Sequence, residues 1–206
     1  MTSNPWLRHV EAPDDALDAE PGRVSRPTGP ATPQAGVTAP DQVDQLPVRD
    51  QPVPARLWVV GVHGGAGETT LARLIPGARC AGRAWPRLPA TSYTRTPVLL
   101  VARSHVAGLE AARRAATHWA SGAVGDVDLL GLVIVADAPG RLPKPLRDLA
   151  AHVAGAPPRT WRMPWVEAWR LGQDLDLETS PGDVRRLVGE ISSLLPPQAS
   201  AASAGH

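Results

Sequence analysis

Leu57-Trp58-Val59-Val60-Gly61-Val62-His63-Gly64-Gly65-Ala66-Gly67-Glu68-Thr69-Thr70 is the stretch on which the fold turns. Its first six residues are a continuous β-prone run, the pattern of a strand buried on both faces. A glycine-rich turn follows, and Thr69–Ile75 then reads as a helix that Pro76-Gly77 stops. Glycines at 64, 65 and 67 let the backbone bend so that successive N–H groups point inward. The next helix adds the partial positive charge of its N-terminus. Strand, glycine turn and helix in this order are the context of a phosphate-binding loop.

Downstream, the same alternation repeats. Val98–Ala102 is a second buried strand, and helix signals run from Ser104, an N-cap residue type, to Trp119. Leu129–Ala136 is a third strand, Pro143–Val153 a helix with proline in its first turn, and Arg159–Met163 a short strand. Ser180-Pro181 opens a last helix to Leu195, whose Val184, Leu187, Val188, Ile191, Leu194 and Leu195 fall on one stripe and predict core packing. Strands separated by helices imply a parallel sheet with crossover connections. The class is therefore α/β, a three-layer fold of the kind built around a phosphate-binding loop, reduced in size.

The ends read differently. Residues 1–54 hold ten of the 23 prolines and no sustained apolar period, so they read as a disordered, proline-rich arm. That arm carries eight acidic and four basic side chains, net −4 against +1 for the whole chain, which leaves about +5 on the remainder. Within it, Asn4-Pro5-Trp6-Leu7 is an apolar island. Residues 196–206 read as a frayed tail, and 55–195 as the folded domain. The lone Cys80 allows neither an intrachain disulfide nor a cysteine metal cluster. No apolar run is long enough for a transmembrane helix and the start has no signal-peptide pattern, so a cytoplasmic location without membrane attachment is expected. The mild basic balance of the domain does not call for nucleic acid; Arg113 and Arg114 are the residues on which such a reading would rest.

Against the pattern G-x-x-x-x-G-K-[ST], Gly67 and Thr69 fix the register and put Glu68 at the lysine position. The lysine there normally neutralises charge on the outer phosphates. A carboxylate repels the same oxygens. At an effective dielectric of about 20, like unit charges about 4 Å apart repel by about 4 kcal/mol. Backbone amides and Mg²⁺ on the Thr69 hydroxyl still offer a way to hold ATP, but efficient hydrolysis is not expected.

His63–Thr70 resembles the deviant phosphate loop of the ParA/MinD partition ATPases, K-G-G-x-G-K-[ST]-[ST]. Val98–Val101 with Ser104–Leu109 is similar to a strand and helix of that family. Gly131–Val135 is similar to its G-V-V-[LI]-N strand, with Ala136 or Asp137 near the base-contacting position. Trp161-Arg162-Met163-Pro164-Trp165, with Ala168 and Gly172, is similar to the segment flanking the adenine. The resemblance covers residues 57–195. It implies a nucleotide site made of Gly64, Gly65, Ala66, Gly67, Glu68, Thr69, Thr70, Asp137, Pro164 and Trp165, with Thr69 on the metal.

The departures from the family are three. His63 stands for the lysine that reaches a partner subunit's nucleotide, Glu68 stands for the phosphate-loop lysine, and residues 76–97 contain no Asp or Glu to serve as the family's catalytic and metal-holding aspartates. The expectation is a pseudo-NTPase acting through an unidentified protein partner, with weak or no nucleotide binding. The alternative is an active ATP-dependent, dimerising switch in which Arg103 or Arg162 replaces the missing lysines. Trp161, Trp165 and Trp169 are expected to close the sheet edge, and Asp137-Ala138-Pro139-Gly140 resembles a metal-holding D-x-P-G turn.

Overall fold

The computed structural model describes residues 26–89 and 95–196. Residues 1–25, with the Asn4–Leu7 island, and 197–206 lie outside the described residues. A five-stranded parallel sheet forms the centre. Its strands are β2 (Leu57–Gly61), β3 (Ala78–Gly82), β5 (Thr96–Arg103), β6 (Val127–Val135) and β7 (Thr160–Met163), in the order β3-β2-β5-β6-β7. α1 (Glu68–Leu74) connects β2 to β3, α2 (Val106–Ala120) connects β5 to β6, and α3 (Lys144–Ala154) connects β6 to β7. A four-residue α4 (Glu167–Arg170) and α5 (Gly182–Ser193) complete the chain.

The middle of the sheet is buried on both faces because β2, β5 and β6 carry long apolar runs. All five residues of β2 are buried. Leu57, Val59, Leu99, Val101, Val133, Trp161 and Met163 pack with Leu71 and Leu74 of α1 and with Val184, Leu187, Val188 and Ile191 of α5. Trp58, Val60, Leu100, Leu132 and Ile134 pack with Leu109 and Ala112 of α2 and with Ala150 and Val153 of α3. The result is three layers, helix on sheet on helix, as the apolar runs predict.

Three readings change. Residues 26–54, taken from their prolines as part of a disordered arm, lie along the domain instead. Thr28 N–H donates to Pro158 O (2.9 Å), Gln34 N–H to Ala120 O (2.8 Å), and Leu46 is buried in the core. Gly29 sits so close to the turn after α3 that a Cβ there would stand 2.5 Å from Gly155 O. Prolines suit such a strap, since an extended chain held by isolated hydrogen bonds needs no regular N–H ladder. Second, residues 76–89, in which the sequence marked no element, hold β3 and β4 (Trp85–Arg87), which pairs in parallel with β1 (Val48–Asp50) of the strap. Trp85 is fully buried and its Nε1 donates to His118 Nδ1 of α2 at 3.3 Å. Third, α2 is capped by His105, whose Nδ1 accepts from Gly108 N–H at 3.0 Å, not by Ser104. No helix among the described residues is long and apolar enough to cross a membrane.

Candidate functional site

The chain leaves β2 toward β3 on one side and returns to β5 on the other. The connections after β2 and β5 therefore part there, α1 to one face of the sheet and α2 to the other, at the kind of place where open parallel sheets carry their ligands. The glycine loop after β2 lies at this switch point. Gly65 (φ 72°) and Gly67 (φ 103°) take left-handed conformations there.

Glu68, the first residue of α1, does not project outward. Its side chain turns back, and Oε2 accepts the Gly67 N–H at 3.1 Å. Its carboxyl carbon and Oε2 would each stand 2.7 Å from a Cβ placed on Gly61. Only glycine at 61 leaves this room. The carboxylate is thus held between the end of β2 and an N–H that a phosphate-binding loop would otherwise offer to a ligand. Charge-assisted hydrogen bonds of this kind are the stronger class, so the loop is bound to an anion of its own.

The loop is also clasped to β5. His63 Nε2 accepts the Arg103 N–H at 2.9 Å, and its Nδ1 meets Gly64 O at 2.9 Å. With one ring nitrogen accepting, the other must donate, so these partners put the proton on Nδ1. The His105 ring packs against it, with centroids 5.0 Å apart. Arg103 continues the clasp: Nε donates to Gly65 O (3.3 Å) and Nη1 to Ala136 O (2.9 Å), joining the loop to the end of β6. Burial first, and then the charge of Arg170, hold the Arg103 guanidinium below the usual arginine range, with Asp137 acting the other way. It remains a cation.

Beyond the loop, the carboxyl ends of β6 and β7 and the short α4 enclose a cleft of about 210 Å³. Gly67, Thr70, Arg103, Trp165, Trp169 and Arg170 are among its walls. The Arg170 guanidinium lies over the Trp165 ring, 4.8 Å from its centroid.

Of the residues expected at a nucleotide site, this cleft collects Gly67, Thr70, Pro164 and Trp165. Gly64 and Gly65 are exposed on the outer side of the loop, and Ala66 is buried in the core beneath it. Thr69, expected on the metal, is exposed with its hydroxyl 3.8 Å from Cys80 Sγ on β3, and it is Thr70 that lines the cleft. Asp137 is exposed, and its N–H donates to Ser104 Oγ at 3.0 Å, tying the ends of β5 and β6. With the Glu68 carboxylate in the loop and the Thr69 hydroxyl turned to β3, the residues as folded do not fit a magnesium triphosphate. Of the three tryptophans, Trp161 does bury against α5, its Nε1 donating to Glu190 Oε2 at 3.0 Å, whereas Trp165 and Trp169 serve the cleft. Arg113 and Arg114 are engaged with Glu110 (2.8 Å) and with Asp44 of the strap (3.5 Å). Arg170 is the wall residue that sequence reasoning missed: a four-residue helix carries no period to single it out.

The model of a family of unknown function, DUF6668, matches residues 55–186, which take in the sheet, the loop and the cleft alike. No curated protein and no solved structure matches the chain.

Proposed function

We propose that this domain, a member of the DUF6668 family of unknown function, is a degenerate ParA/MinD-like phosphate-loop protein, a pseudo-NTPase that acts through protein interaction or regulation. The observation that carries the reading is the Glu68 carboxylate, hydrogen-bonded to Gly67 N–H inside the loop. A triphosphate entering the loop meets a fixed negative charge and must displace it, at a cost of several kcal/mol on the Coulomb estimate of about 4 kcal/mol for a like pair. Nor does any residue between 76 and 89 or 95 and 97 supply a carboxylate to replace the family's aspartates. The loop then serves as a rigid βα turn, clasped by His63 and Arg103, that shapes one wall of the cleft.

The reading is tested by titrating Mg²⁺–ATP and Mg²⁺–ADP calorimetrically into the full-length protein and into Glu68→Lys. The expected result is no measurable heat for the wild type and binding gained by the lysine variant. Micromolar binding by the wild type overturns it.

One observation favours a second reading, the active dimerising ATP switch. Arg103 spans Gly65 O and Ala136 O at the mouth of the loop, a position from which a cation could take over the missing lysine's role. Nucleotide-dependent dimerisation with phosphate release, both lost in Arg103→Ala, would establish that alternative.

A further inference from the structure

We propose that the cleft between Arg103 and Arg170 binds a small organic oxyanion on a flat ring, a carboxylate or a phosphate monoester, gripped by the two guanidinium groups against Trp165 and Trp169. This rests on the preceding reading in one respect: with Glu68 occupying the loop, the ligand's acid group is met by arginines rather than by loop amides.

Four features of the cleft lead to this class of ligand. Two guanidinium groups share one small space, and each raises the electrostatic energy of the other. Among the described residues neither makes an ion pair: Arg103 gives two of its five donors to backbone carbonyls, and Arg170 rests on an indole face. Like charges brought together, with only the exposed Asp137 acting on Arg103 from outside the cleft, are relieved by an external anion, and guanidinium geometry suits the paired oxygens of a carboxylate or phosphate. Asp137 and Glu167 stand near, the latter accepting from Trp165 Nε1 at 2.6 Å, but both are exposed and neither lines the cleft.

The walls then select what carries the anion. Trp165 and Trp169 present ring surface, and Met163 and Val135 add apolar contact. The walls are polar and apolar in about equal parts, a more polar lining than the usual small-molecule pocket and one suited to a ring that carries a charge. The volume sets the size. About 210 Å³ lies below the roughly 300–1,000 Å³ of sites for drug-sized ligands, leaving room for one ring and its acid group and not for a nucleoside triphosphate.

The experiment uses phenyl phosphate, benzoate and inorganic phosphate as probes on the full-length protein, followed by calorimetry and by tryptophan fluorescence. Phenyl phosphate, benzoate or both should saturate at roughly millimolar concentration or below, and bind more weakly as salt is raised. Whichever of the two binds better identifies the acid group. Arg170→Gln should weaken that probe about tenfold, as expected for losing a charge-assisted contact, and Trp165→Leu severalfold. Arg170 is exposed and holds no backbone group, so its variant tests the site even if Arg103→Gln disturbs the loop. The proposal is overturned if neither ring-bearing probe saturates, if Arg170→Gln leaves affinity unchanged, or if inorganic phosphate binds as well as phenyl phosphate. Glu68→Lys separates the two readings. Wild-type binding of Mg²⁺–ATP defeats the pseudo-NTPase reading, while the Arg170→Gln result on phenyl phosphate or benzoate decides this one alone.

Discussion

The loop after β2 and the cleft after β7 meet at Gly67 but are electrostatic opposites. In the loop, the chain supplies its own anion: the Glu68 carboxylate sits against Gly67 N–H in space left by Gly61. In the cleft, the chain supplies two cations, Arg103 and Arg170, and no carboxylate of its own among the walls. A nucleotide site would run through both as one unit. Here a carboxylate occupies the loop, and the cleft is left with positive charge facing an open space. The comparison teaches that two regions meeting at one glycine can carry opposite charge along the same sheet edge, one set by a single carboxylate and the other by a pair of arginines.

The sharpest way to break this comparison is to refill the space at Gly61. Gly61→Ala brings a methyl to 2.7 Å from the Glu68 carboxyl group, the far end of a half-buried, flexible side chain, which must swing out and give up its bond to Gly67 N–H; the cost should be that of a charge-assisted hydrogen bond, about 2 kcal/mol, read as a shifted urea midpoint. In a Glu68→Ala background the same substitution should cost much less than in the wild type. If Gly61→Ala costs as much in that background as in the wild type, the carboxylate does not sit against Gly61 in solution. His63→Ala comes next. It leaves the buried-side Arg103 N–H without its acceptor and should cost about 2 kcal/mol, with faster amide exchange across 63–67 as a second readout. Glu68→Gln keeps the shape but removes the charge, and should cost about 1 kcal/mol. Arg170→Gln should shift stability by no more than about 0.5 kcal/mol, since its side chain is exposed, so any effect it has on ligand binding belongs to the cleft.

The smallest effect is a slope rather than a step, and lies far from both regions. Burial holds the His118 imidazole below its ordinary value of 6.5. The unfolded chain therefore takes up a proton before the folded one does. Stability from this group is complete above that pH and declines as the pH falls through it. Thermal midpoints at pH 7.5 and 5.5 should differ more in the wild type than in His118→Gln, which keeps an acceptor for Trp85 Nε1.

The middle of the sheet was legible because β2, β5 and β6 each hold a long apolar run, and a strand buried on both faces leaves that mark in sequence. β3 was not, because Ala78-Arg79-Cys80-Ala81-Gly82 forms an edge, half exposed, with nothing β-branched in it. β4 contains a proline and β1 is exposed at all three positions, so neither carries a pattern that one sequence can announce. The strap was misread for a related reason: Pro-rich segments are usually too polar to bury surface, but here single residues such as Leu46 and Gly29 do the docking. At the site, the glycines and the odd Glu68 stood out at once. That Glu68 folds inward depends on Gly61, seven residues earlier, and that Arg170 joins Arg103 depends on α4 meeting the end of β5; such pairings exist only once the chain is folded.

The strap also has a kinetic consequence. Its hydrogen bond from Thr28 Oγ1 to Pro157 O closes a separation of 129 residues, and the parallel pairing of β1 with β4 cannot be made by a local turn. Closing so long a loop is entropically slow and rewards little until both ends are built. The strap should therefore be the last part of the domain to form and the first to open, releasing Leu46 and the Trp85 surface as one unit while the five-stranded sheet stays closed. Native-state hydrogen exchange would record this as a separate low-energy opening of residues 28–50, well below the global unfolding of β2, β5 and β6.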